Sequence, residues 1–317
     1  MNLIDEAVII EIFGIRMYAF GLYVAVGALF AVIIMLIAAK THSLKKGTVP
    51  LTVFCAMVCG MLFSRISFCL LNRELGQMTP LSFWPQLNGG GWSMFGLIGG
   101  ILLGGYISAR TMKEKNGEIL DMLSLAMLPL FAAERIGENR IDDFDISRPI
   151  DSKILANSFL AVGTDEPCLA TYYIAAAVAV FLFVYLAYYY TRQKSAGNLT
   201  IAFLILFGAS SIVTESLRYD RFLSVSFVGL QQVAAALMLA IGVVLSIKRN
   251  KRVKHGTAAA AIISLLLMVG LVIGLEFALD RTTWNKILIY VGMIASVAVP
   301  AGFGLKMLSA GKGNEDL

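Results

Sequence analysis

DMLSLAMLPLFAAERIGENRIDDFD, Asp121–Asp145, decides how the rest of the chain is read. The stretch begins as an apolar helix, carries Glu134 and Arg135 at its far end, and opens into an acidic loop. A guanidinium in a membrane helix costs about 2.5–3.5 kcal/mol on insertion scales unless something negative lies against it. A helix that keeps such a residue is read as part of a site, and the surrounding sequence is searched for its partner.

Of the 317 residues, 58% are hydrophobic and only 15% charged, and mean hydropathy is +0.78. Soluble domains carry about 25% charged residues, so the composition indicates an all-α, polytopic transmembrane bundle. The apolar runs fall into about nine spans of roughly 20 residues, the length that crosses the hydrocarbon layer. They are 16–39, 50–71, 92–110, 118–136, 169–191, 199–216, 226–247, 257–279 and 286–308. Continuous runs, rather than short alternating segments, argue against a closed membrane sheet. No cleavable signal peptide is expected, because Asp5, Glu6 and Glu11 stand where a basic n-region belongs.

Charge distribution orients the bundle. Lys40, Lys45 and Lys46 follow span one, and Arg110, Lys113 and Lys115 follow span three. Arg192 and Lys194 follow span five, and Lys248, Arg249, Lys251, Arg252 and Lys254 follow span seven. Alternate loops are thus basic and are expected in the cytoplasm, with the amino terminus outside and the carboxy terminus inside. The acidic segment 138–168 then lies outside. This topogenic role accounts for the basic clusters, and no nucleic-acid partner is expected. Cys55, Cys59, Cys69 and Cys168 read as small buried hydrophobes rather than a disulfide framework. With two histidines and no clustered ligand spacing, neither a metal site nor a cofactor is expected.

Polar residues recur at the predicted outer ends of the spans. Arg16 and Tyr18 open span one as an interfacial belt. Arg65 lies near the end of span two, either snorkelling or lining a polar cavity. Gly89, Gly90 and Gly91 precede span three, where Gly96, Gly99, Gly100, Gly104 and Gly105 form a face for close helix packing or lipid approach. In span six, Glu215 and Arg218 share a helix face and can pair. Gln231 or Gln232 starts span seven at the same level. Arg65, Arg135, Glu215, Arg218 and Gln232 are therefore expected near one leaflet, with an excess of cations that an anionic head group would satisfy through charge-assisted bonds. Spans eight and nine carry little polar material, with Glu276, Asp280 and Arg281 at the turn between them, and are expected to be structural.

The order of these features resembles the bacterial prolipoprotein diacylglyceryl transferase family over roughly residues 12–247. The resemblance rests on AFGL (Ala19–Leu22), MFGLIGG (Met94–Gly100), ERIGEN (Glu134–Asn139), FGASSIVTESLR (Phe207–Arg218) and GLQQ (Gly229–Gln232). Asp121 stands at the family's usual distance before the arginine. The sequence departs from the family pattern at several positions. Phe20 replaces a tyrosine, and Phe95 a histidine or tyrosine. Glu134 stands where glycine is usual, Glu138 replaces a polar residue, and Ser211 replaces an arginine. Tyr172 or Tyr173 matches the tyrosine of span five, whose usual glutamine and glutamate are absent.

The resemblance implies residues 1–254 as a seven-helix transferase-like core and 255–317 as two additional helices. It implies transfer of diacylglyceryl from phosphatidylglycerol to the lipobox cysteine of a lipoprotein precursor, in the bacterial cytoplasmic membrane. Catalytic roles fall to Arg135, Glu215, Arg218 and Glu138. Phospholipid binding falls to Arg65, Phe20, Phe95, Gly96, Gly137, Asn139 and Gln232. The alternative is a degenerate relative that binds or presents an anionic phospholipid. A secondary transporter is disfavoured, since no inverted repeat or pair of broken helices is seen.

Overall fold

A computed structural model describes residues 8–12, 15–71, 92–138, 146–150, 156–162, 167–192, 195–218, 224–225, 228–250 and 253–310. Nearly all of the described chain is helical, in the order α1 (Ala19–Thr41), α2 (Thr48–Leu71), α3 (Met94–Met112), α4 (Asn116–Gly137), α5 (Thr171–Arg192), α6 (Asn198–Leu217), α7 (Leu230–Arg249), α8 (His255–Arg281) and α9 (Lys286–Ala310). Eight of these are long and apolar enough to cross a membrane, which makes the chain a multi-pass membrane protein. The remaining one, α4, carries Glu118, Asp121, Glu134 and Arg135. It is a helix as expected, but its Asp121 and Arg135 are enclosed by protein, which removes the need for an apolar composition all round.

The connections hold short strands that hydrophobic periodicity does not reveal. Val8–Ile12 (β1) and Ile15–Tyr18 (β2) form an antiparallel hairpin before α1. Ile146–Pro149 (β3), Ala161–Val162 (β4) and Cys168–Ala170 (β5) form a sheet in the order β3-β5-β4. Ser224–Val225 (β6) pairs with Val228–Gly229 (β7) before α7. Span one thus begins as helix only at Ala19, because the preceding residues are extended and paired. Gly89–Gly91, Asn139, Asp142, Asp143, Asp145, Lys194, Lys251 and Arg252 lie outside the described residues, as does the Arg16 side chain.

The chain divides into two compact units, Met1–Val184 and Tyr185–Leu317, the division falling inside α5. In the first unit α2 packs on α3, α1 on α4, and α3 on α4. The α2–α3 contact explains the glycine stripe. A Cβ on Gly96 would lie 2.7 Å from the Phe63 carbonyl, and one on Gly100 or Gly104 would strike the backbone at Cys59 or Cys55. The two helices therefore run backbone to backbone, as small-residue packing in membranes requires. Gly105 faces Leu123 of α4, and Gly99 meets nothing within 4 Å. At the far end of this unit, Lys45 closes the turn between α3 and α4 by donating to the carbonyls of Met112 at 2.8 Å and Lys113 at 3.2 Å. An ammonium on the last carbonyls of a helix satisfies acceptors that the helix itself leaves open.

In the second unit α6, the most buried of the eight spans, packs on α7 and α9, and α8 packs on α9. Gly197, at φ 91°, opens the turn into α6. Gly208 abuts Leu239 and Ala235 of α7, and Gly304 of α9 abuts Ile205. Arg249 donates to the Ala196 carbonyl at 2.9 Å, and Asn250 to that of Met307 at 2.8 Å. These bonds tie the basic end of α7 to its neighbours.

Candidate functional site

In the first unit the site is built around the last turn of α4. Arg135 is 5% exposed, and its Nη1 donates to both carboxylate oxygens of Glu138, at 3.0 and 3.1 Å. The two residues meet because they are three apart on a helix end. Glu138 sits at the C-cap, where the partial negative charge of the helix disfavours a carboxylate. The guanidinium offsets this. Nη2 of Arg135 reaches the Met94 sulfur at 3.4 Å, and Nε lies 3.6 Å from Glu134.

Met94 opens α3, and two residues earlier Trp92 lies under Arg65, with its ring centroid 5.2 Å from the guanidinium carbon. Arg65 is 1% exposed, so it is enclosed by protein rather than snorkelling. Ser64 donates to the Ser93 carbonyl at 2.8 Å, and the Ser93 amide donates back to Ser64 at 3.3 Å. These bonds fix the start of α3 against α2, with Trp92 on one arginine and Met94 on the other. Ser93 also caps α3 by accepting from the Gly96 amide at 3.2 Å. Phe20 and Tyr23 of α1 close over Gly137, where an added Cβ would lie 3.0 Å from Tyr23. Phe95 is half-buried on the first turn of α3. The small size of Gly96 serves the α2–α3 contact.

In the second unit, Glu215 and Arg218 are both buried at the end of α6, their nearest charged atoms 3.6 Å apart. Gln231 also reaches Glu215: with its amide oriented so that the nitrogen faces the carboxylate, it donates to both oxygens at 3.1 and 3.0 Å. Gln232, one residue later, turns into the helix packing instead. Its Nε2 donates to the Ile212 carbonyl at 3.1 Å and to Glu276 of α8 at 2.6 Å, and its Oε1 accepts from the Gly229 amide at 3.2 Å. Ser211 is buried within α6. On α5, Tyr172 and Tyr173 stack edge to face with centroids 4.6 Å apart. Trp92 and Met94 in the first unit, and Glu276 in the second, are neighbours of these polar residues that spacing alone does not select. The signal for Glu276 was present, as a carboxylate inside a 27-residue apolar helix.

The order Glu134–Gly137 at the end of α4, glutamate and arginine at the end of α6, then a glutamine pair on α7 has a counterpart among known proteins. The family profile described as prolipoprotein diacylglyceryl transferase matches residues 7–248. The chain belongs to that family. A relative from Finegoldia magna, named phosphatidylglycerol–prolipoprotein diacylglyceryl transferase, is 23% identical over 257 residues, spanning 78% of this chain and 97% of its own length. One of the same name from Clostridium tetani is 24% identical over 247 residues, spanning 75% and 95%. The family match ends inside α7, so α8 and α9 lie beyond it.

Proposed function

We propose that the chain transfers diacylglyceryl from phosphatidylglycerol to the lipobox cysteine thiol of a lipoprotein precursor at a bacterial cytoplasmic membrane. The cysteine sulfur attacks the glyceryl carbon that bears the phosphate. The C–S bond forms as the C–O bond breaks, glycerol phosphate leaves with the electron pair, and the thiol proton passes to a base. Such a displacement needs a fixed cation at the departing phosphate and an acceptor for the proton.

The observation that carries this reading is the buried Arg135–Glu138 pair at the end of α4. Arg135 is assigned to the phosphate, where its planar fork suits two oxygens at once. In the structure Glu138 takes both bonds from Nη1 of Arg135. An arriving phosphate would displace it and leave a carboxylate beside the reacting centre, available as base. Arg65 supports the positive potential in the same unit. Glu215 and Arg218 are assigned to the same reaction, Arg218 as a further cation and Glu215 to orient it or to accept the proton. Amino terminus outside and carboxy terminus inside, as the basic loops predict, puts the reacting centre at the outer leaflet. We assign residues 1–254 to the transferase core and 255–317 to an appended pair of helices.

The second reading, a relative that holds anionic lipid without turning it over, draws support from Glu138 already saturating Nη1 of Arg135. Expression in a bacterium whose own transferase is switched off separates the two. A gain of one diacylglyceryl group on a reporter lipoprotein supports transfer. Good expression with no mass gain, but with phosphatidylglycerol copurifying, supports binding alone.

A further inference from the structure

We propose that Glu276, on the appended helix α8, is a positioning residue for the transferase chemistry, acting through Gln232 on the ends of α6 and α7 that carry Glu215 and Gln231. The inference rests on the transferase reading above and concerns a residue beyond the family match, which ends at 248.

A 27-residue apolar helix crosses a membrane without a carboxylate, and a buried ionisable group in such a helix is costly unless it is bonded. Glu276 is 1% exposed and accepts from Gln232 at 2.6 Å. The Gln232 amide is thereby engaged on three helical elements. One N–H reaches Glu276, the other the Ile212 carbonyl of α6, and the oxygen holds the Gly229 amide at the start of α7. Ile212 precedes Glu215 by three residues, and Gln231, which donates to Glu215, is adjacent to Gln232. Rotation of the Gln232 amide would therefore shift both partners of the Glu215–Gln231 contact. The other appended helix acts on the same turn, where the Tyr290 hydroxyl donates to the Ser216 carbonyl at 3.4 Å. Two helices outside the family's matched length thus bear on the last turn of α6. Their role is to hold that turn.

The test uses the full chain in nanodiscs containing phosphatidylglycerol, comparing wild type, Glu276→Leu and Glu276→Gln. Leucine removes the acceptor, whereas glutamine keeps a carbonyl oxygen for Gln232. Glu276→Leu is expected to lower kcat about tenfold or more, the scale of losing a hydrogen bond to a charged group, with KM for phosphatidylglycerol within about twofold. Amide exchange should accelerate at residues 212–217 and 229–233 and stay unchanged in α1–α4. Glu276→Gln should remain within about threefold of wild type on kcat, since its acceptor persists. If Glu276→Leu does not fold, Gln232→Met opens the same bond from its other side and should give the same exchange pattern. Wild-type kcat, unaltered exchange at those segments, a loss spread evenly over the chain, or equal damage by glutamine and leucine would each overturn the proposal. An inactive wild-type protein would refute the transferase reading and with it the positioning role, while the exchange pattern would still decide whether Glu276 holds the turn.

Discussion

Glu138→Gln should uncouple lipid binding from turnover. The two side chains are 6% and 5% exposed, so water screens little of their attraction. Removing one partner of such a pair outright costs about 3–5 kcal/mol. Glutamine keeps one acceptor for Nη1 and Glu134 remains 3.6 Å from Nε, so the loss of stability is expected at about 1–3 kcal/mol. On the proposed mechanism, the same substitution removes the anion that an incoming phosphate displaces. A charge-assisted hydrogen bond is worth roughly 1.5–3 kcal/mol, so phosphatidylglycerol should bind about 10–100-fold more tightly. Transfer should fall by roughly 10²–10⁴-fold, the range lost with a general base. Native mass spectrometry with titrated phosphatidylglycerol reads the first quantity, and single-turnover mass analysis of a lipobox peptide reads the second. Unchanged lipid affinity together with wild-type turnover would refute both the displacement and the assignment of Glu138 as base.

Arg135→Lys keeps the charge but loses the planar fork, and transfer should drop about 10²-fold or more; full activity in the reporter assay would sink the scheme. Gln231→Leu removes the donor to Glu215 and should cost transfer roughly tenfold. Equal activity to wild type would place Glu215 outside the chemistry. Gly104→Val would drive a side chain into the Cys55 backbone and should destabilise the detergent-solubilised protein by about 1–3 kcal/mol in thermal melts. Gly99→Ala, with no atom within 4 Å, is its neutral control.

The helices were legible because long apolar runs bounded by charge leave the backbone one solution in lipid. Their ends were less so. Span three was read from residue 92, but Ser93 caps the helix and Met94 begins it. The strands in the connections were illegible, because two- to five-residue pairings carry no hydrophobic period of their own. Arg135 stood out as a charge in an apolar helix, and Glu138 followed from its spacing. Which glutamine faces Glu215 did not follow, because adjacent residues on a helix point about 100° apart and the phase is set by packing. Trp92 and Met94 were invisible for a related reason. They lie against Arg65 and Arg135 because a glycine stripe and the Ser64–Ser93 bonds settle α3 on α2.

The two acid–arginine pairs differ in an instructive way. On α6 the order is glutamate then arginine, so Arg218 occupies the C-cap, where the helix end favours a cation. On α4 the order is reversed, and it is Glu138 that stands at the negative end of the helix. The α4 pair is nonetheless the tighter, at 3.0 Å against 3.6 Å, and Nη1 of Arg135 bonds both oxygens of the Glu138 carboxylate. On the proposed mechanism, an anion that offers Arg135 two oxygens competes on favourable terms, because the helix end weakens the hold on the carboxylate it displaces. The reversed order thus supports Glu138 as the partner that the proposed phosphate would displace, with Arg135 keeping its place.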